Sequence, residues 1–151
     1  MKAITLDELG TQPALHTDLP SPKPGRNEVL VRVRASSVNP VDNAIAGGML
    51  KDMVEHEFPI TLGRDYAGVI EQTGADVTRL TVGDEVFGFI GAMNPTVRDG
   101  TWAELIVVPE TSIARPPGGV ELAAVGAAPV AGIAAMSAID ALALAQGATL
   151  L

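Results

Sequence analysis

Residues 58–88 read FPITLGRDYAGVIEQTGADVTRLTVGDEVFG, and this stretch decides the fold. Asp65 to Gln72 mixes β-branched and aromatic residues and predicts a strand. Gly68 lies inside it, where glycine usually marks a bulge, a bend or a close backbone approach. Gly74 ends the run. Thr81-Val82-Gly83-Asp84 then supplies a tight turn before a second strand, predicted over Glu85–Phe89.

Short strands are also predicted upstream of this stretch, over residues 2–6 and Leu15–Leu19. Pro20, Pro22 and Pro24 make a rigid connection, because each fixes φ and lacks a backbone donor. Glu28–Ser37 is the clearest strand, with Val29, Val31 and Val33 on one face and Leu30, Arg32 and Arg34 on the other. Pro40 suits the first turn of a short helix over Val41–Ala46, which Gly47-Gly48 ends. Met49–Glu57 and residues 91–100 read as loops, the first of them polar, irregular and mobile. Strands follow over Thr101–Val108 and Ser112–Arg115, and Pro116-Pro117-Gly118-Gly119 is a hard stop. Beyond it, Glu121–Gln146 is helical in composition with a break at Pro129. Gly147 reads as its C-cap, and Ala148–Leu151 as the start of an apolar strand. Many short strands punctuated by Gly and Pro predict a mainly β body, a barrel or sandwich.

The chain's 151 residues suffice for a domain with its own core. Ten basic against eighteen acidic residues give a net charge of -8. That balance argues against nucleic acid, whose phosphates require clustered Lys and Arg. With no cysteine, neither disulfides nor thiolate ligands are available. Leu122–Ala145 is apolar but divided by Pro129 and interrupted by Asp140, so it reads as a packed helix and not as a membrane span. Asp7 and Glu8 interrupt the N-terminal apolar run, which leaves no signal peptide and a cytoplasmic location as the expectation.

Asn39-Pro40-Val41-Asp42 and Gly100-Thr101-Trp102-Ala103-Glu104 flank the quoted stretch. Together with it they resemble the N-terminal catalytic domain of the medium-chain dehydrogenase/reductases, in their zinc-free, quinone-oxidoreductase-like branch. The resemblance covers nearly the whole chain. It implies a GroES-like, partly open β-barrel over residues 1–120, then a linking helix and the first strand of a Rossmann domain over 121–151. The Gly-rich turn that would follow such a strand does not occur before Leu151, so a truncated, inactive fragment is expected. The parent is expected to be a homodimeric enzyme that reduces a quinone or an enone with NADPH or NADH, the cofactor being held mainly by the missing domain. The competing reading is a GroES-like module that binds or scaffolds without catalysis.

Zinc-dependent relatives carry a Cys after the long third strand and a Gly-His-Glu motif. Here Asn39 and Gly63-Arg64-Asp65 match those positions, so a cation replaces one ligand. The region of the relatives' structural zinc, Phe89–Gly100, has no Cys, and His16 and His56 lack any ligand spacing. No metal is expected. The hydride would then come from a nicotinamide, and the protein would supply position and a hydrogen bond to the developing oxyanion.

Asn39 is the candidate catalytic residue and also borders the cofactor in similar proteins; its other reading is a cap for the helix begun by Pro40. In relatives the segment matching Pro129–Ala134 touches the nicotinamide, which makes Val130, Gly132 and Ala134 candidate cofactor contacts. Family members often have Thr at the position of Ala134. Asp42 reads as support for the helix N-terminus. Arg64 and Asp65 are expected to form a local ion pair in place of the metal site's network. Tyr66 and Trp102, the sole residues of their types, read as packing residues.

Overall fold

The structure, a computed structural model, describes residues 1–91, 98–145 and 147–149. Two antiparallel sheets form its body. The smaller joins β1 (Ala3–Leu6) to β2 (Ala14–His16) on one side and β4 (Ile60–Thr61) on the other. The larger runs β7 (Leu105–Pro109), β3 (Glu28–Ala35), β5 (Asp65–Thr73), β6 (Glu85–Phe89) and β8 (Ile113–Ala114). This is a mainly β, curled half-barrel.

Strand β3 is central because its apolar residues serve two neighbours. Val31 lies opposite Ile70 of β5 and Ile106 of β7. Val29, Val31, Tyr66, Ile70, Leu80, Val86, Ile106 and Val108 bury together, with Val33 packed against them. Each such side chain contributes roughly 1.5–3 kcal/mol on leaving water. The face opposite is not polar throughout: Leu30 is buried as well. Gly68 marks a close approach. A Cβ there would stand 2.3 Å from the Arg32 carbonyl oxygen, and the β3–β5 register shifts on either side of this contact.

Residues 101–104 are predicted as strand but form the seam between the two sheets. Their backbone bonds go to several elements: Ile4 N–H donates to Trp102 O at 2.8 Å, Trp102 N–H to Leu62 O at 2.8 Å and Val33 N–H to Glu104 O at 3.0 Å. No single partner strand runs alongside, so only a bridge between Ala3 and Ala103 is made. A second core lies under the seam, built of Leu6, Ile45, Ile60 and Leu62, with Trp102 against it. Leu50 and Val54 also pack there, so Met49–Glu57 is a turn-rich segment anchored by two apolar residues and not the polar loop expected.

Helix α1 (Pro40–Ala46) sits between β3 and β4, and α2 (Leu122–Val125) packs on β3, β5 and β6. Helix α3 (Pro129–Leu142) follows. It stops before Gly147: Ala143 takes the left-handed conformation, φ 45°, and its N–H bonds Asp140 O. The expected C-cap at Gly147 is therefore wrong, the helix having ended four residues earlier. Ala148 and Thr149 are in no strand, while Leu150 and Leu151 and most of the loop expected over 91–100 lie outside the described residues. No helix among the described residues is long and apolar enough to cross a membrane.

Candidate functional site

Three chain segments meet where β3 ends, β5 begins and α3 begins. Strand β3 runs out into Ser36, Ser37 and Val38, after which Asn39 takes extended backbone (φ -120°, ψ 158°) as the N-cap of α1. Pro40 occupies the first helical turn, where its missing N–H costs nothing. Asp42 then reaches back: its Oδ2 accepts from the Asn39 N–H at 2.6 Å, the return half of a capping box.

The Asn39 side chain turns to its neighbours. Nδ2 donates to Ser37 Oγ at 2.8 Å and to Asp65 Oδ2 at 3.0 Å. Ser37 Oγ donates to the same Asp65 oxygen at 2.6 Å. Asp65 Oδ1 accepts from the Val130 N–H at 2.8 Å. Ser36 Oγ donates to the Asp65 carbonyl at 2.7 Å and lies 2.9 Å from Thr101 Oγ1, while Trp102 Nε1 donates to Ser37 O at 2.9 Å. Every polar atom of the Asp65 carboxylate is thus engaged, as a fully buried carboxylate requires.

The expected Arg64–Asp65 ion pair does not form. Successive residues of an extended chain point to opposite sides, and here they part. Arg64 is 2% exposed and sends Nη2 to Thr61 O at 3.3 Å. Its Nε has no hydrogen-bond partner among the described residues, and neither has Oδ1 of buried Asp42. Burial holds the Arg64 guanidinium below its ordinary value, against the pull of Asp42 and Asp99. Burial likewise raises the Asp42 carboxyl, opposed by the Asn39 N–H and Arg64 and reinforced by Asp65. The two are opposite charges sharing a dry interior, each disfavoured by desolvation and each favoured by the other. Gly63 precedes them at φ +87°; a Cβ there would stand 2.2 Å from Trp102 Cδ1, so this turn admits only glycine.

Among the sequence candidates, Asn39 and Val130 are brought together on one carboxylate. Gly132 and Ala134 stand further along α3. Gly132 opens on a groove of about 530 Å³ lined by Phe87, Phe89, Ile113, Ile133 and Met136, and Ala134 is exposed. Tyr66 is fully buried and donates to Ser112 O at 3.2 Å, a core residue as expected. His16 lies 3.7 Å from Asp7 in β2, while His56 is half-buried with Nδ1 2.7 Å from Val54 O. No group of three His, Cys, Asp or Glu side chains that could hold a metal occurs among the described residues. The sequence reading overlooked Ser36, Ser37 and Thr101. A Ser-Ser pair two residues before an N-capping Asn was the available signal.

This combination of barrel, seam and capped helix defines a GroES-like domain. Residues 25–118 match the alcohol dehydrogenase GroES-like domain, and the chain belongs to that family. It is similar to the mitochondrial NAD(P)H oxidoreductase RTN4IP1 of Dictyostelium discoideum, with 33% identity over 92% of this chain and 40% of that protein. The chloroplast envelope quinone oxidoreductase homolog of Arabidopsis thaliana is 33% identical over 82% of this chain and 36% of its own length. Among solved structures, the quinone oxidoreductase from Coxiella burnetii superposes with a TM-score of 0.84 at 28% identity, covering 97% of this chain and 46% of that one. The chain therefore spans less than half the length of each of these relatives.

Proposed function

We propose that this chain is the substrate-side lobe, over residues 1–120, and the start of the link to a nucleotide-binding lobe, over 121–151, of an NAD(P)H-dependent, zinc-independent oxidoreductase that reduces quinones or enones. The observation that carries this reading is the Asn39 amide, held in one orientation beside the first turn of α3 by Ser37 and Asp65. The similarity to proteins named NAD(P)H and quinone oxidoreductases supports the reaction class.

The residues present suit a nicotinamide better than a metal. Arg64, the chain neighbour of Asp65, adds a buried cation to this interior, which opposes a second cation, and the Asp65 oxygens are already spent on three donors. Asn39, Val130, Gly132 and Ala134 would hold the nicotinamide end, with the rest of the cofactor outside this chain. Bound there, the nicotinamide supplies the hydride. This chain's part is to orient: Asn39 is a fixed polar edge, because its amide nitrogen bonds both Ser37 Oγ and Asp65 Oδ2. What Asn39 offers a ligand is consequently a fixed amide whose nitrogen already serves two protein acceptors. A homodimeric, cytoplasmic parent belongs to the same reading.

The test uses the longer protein that joins this chain to a nucleotide-binding lobe. NADPH or NADH should be consumed only when a quinone or enone is present, with no change on adding a chelator. Asn39→Ala should lower turnover about 10- to 100-fold through lost positioning. Turnover that disappears on chelation, or no turnover with any acceptor, would overturn the proposal.

A further inference from the structure

We propose that Asp65 is the positioning residue of this site, and that its single carboxylate both sets the Asn39 amide and docks the first turn of α3. One oxygen serves each task. Oδ2 collects Ser37 and Asn39, and Oδ1 collects the Val130 N–H.

The direction of every bond in the cluster follows from this one side chain. A carboxylate only accepts. Asn39 must therefore turn nitrogen, not oxygen, toward it. The Ser37 hydroxyl gives its proton to Asp65 and so is left to accept from Asn39. The Ser37 and Asn39 donors both face Asp65, and turning the Asn39 amide over would set its oxygen against that carboxylate. At the other end, Val130 is a first-turn residue whose N–H has no acceptor within its own helix. Pro129 has no N–H, and Gly132 N–H reaches back to Ala128 O at 2.6 Å. Asp65 takes the Val130 donor, which lies 65 residues away in sequence. The strand that carries Asp65 is thereby tied to the turn of α3 that holds Pro129, the buried residue of that helix.

The consequence is a coupling. A change at residue 65 disturbs the orientation of Asn39 and the seating of α3 together, although these lie on different elements. Its meaning for catalysis rests on the function proposed above. The hydrogen bonds themselves are read without turnover, so the two proposals can fail separately.

Amide exchange followed by NMR on the 151-residue chain tests it. Val130 and Ala131 are adjacent first-turn donors, and among the described residues only Val130 has an acceptor. The Val130 amide should exchange at least about tenfold more slowly than that of Ala131, the size expected for a hydrogen bond to a charged group. In Asp65→Asn one acceptor oxygen remains for two tasks, and the Val130 protection should fall by about tenfold. The double variant Asn39→Asp, Asp65→Asn exchanges the amide and the carboxylate. It should return Val130 to within about threefold of the unaltered chain, because the new carboxylate at 39 accepts from the new amide and frees that amide's oxygen for Val130. A purely structural contribution of Asp65 predicts no such rescue. Equal exchange at Val130 and Ala131 in the unaltered chain sinks the proposal even where neither variant folds, and so does a double variant no better protected than Asp65→Asn.

Discussion

The five-stranded sheet and helix α3 are both rich in aliphatic residues, and they meet opposite fates. Val29, Val31 and Val86 of the sheet are wholly buried, and Ile70 is 1% exposed. On α3, Ile133, Met136, Ile139 and Leu142 are 50%, 58%, 46% and 51% exposed. The difference lies in packing partners and not in hydrophobicity. Along β3 and β5 the apolar residues face partners across paired strands, and two-residue periodicity sends them to a common interior. Along α3 they recur every three residues and so follow one another down the helix, but the described residues of this chain leave them half exposed. Among the described residues the helix buries Pro129 and bonds Asp65 through Val130, both in its first turn. The sheet is stabilised by its packing, whereas α3 owes little of its stability to contacts within this chain.

The largest expected effect that could break this contrast is a matched pair of truncations. Ile70→Ala should cost about 2–5 kcal/mol of stability, while Ile139→Ala should stay within about 0.5 kcal/mol, both read from urea unfolding of the chain. Equal costs would mean that α3 is as well packed as the sheet. A matched pair of glycines sharpens the contrast at smaller amplitude. Gly68→Ala forces a methyl onto the Arg32 carbonyl, and such overpacking should cost about 1–3 kcal/mol or more. Nothing lies within 4 Å of a Cβ added at Gly132, so Gly132→Ala should instead stabilise by up to about 1 kcal/mol through helix propensity. Thermal unfolding of the two variants measures both signs.

The smallest effect is confined to alkaline solution. Burial pushes the Tyr66 phenol well above its ordinary value of 10.0. A raised folded value means that the unfolded chain ionises first. The stability linked to Tyr66 is therefore intact below pH 10 and is lost progressively as the pH climbs toward the folded value. Because Tyr66 is the only tyrosine, phenolate absorbance reports on it alone. Its ionisation should coincide with unfolding, and a phenol that titrates near 10 in the folded chain would contradict its place in the core.

Much of the fold was legible along the chain. Strands β5 and β6 and helix α1 fell within a residue or so of their expected bounds, because β-branched residues, Gly74 and Asn39-Pro40 act through local backbone preference. Residues 101–104 were misread because their composition is strand-like while their hydrogen bonds are divided among several elements. Asn39 was legible as a helix cap. Asp65 was not legible as the centre of the site, since an acidic residue at a strand start carries no mark of what it will bind.

Local chemistry thus determined the strands, the capped helix and the residues that a metal site would have needed. Tertiary structure alone decided how the polar groups were shared. The donors to Asp65 come from positions 28, 26 and 65 residues away, and its neighbour Arg64 turns elsewhere. A buried carboxylate must find whatever donors folding brings within reach, and at such separations only the folded half-barrel and the seating of α3 bring them there.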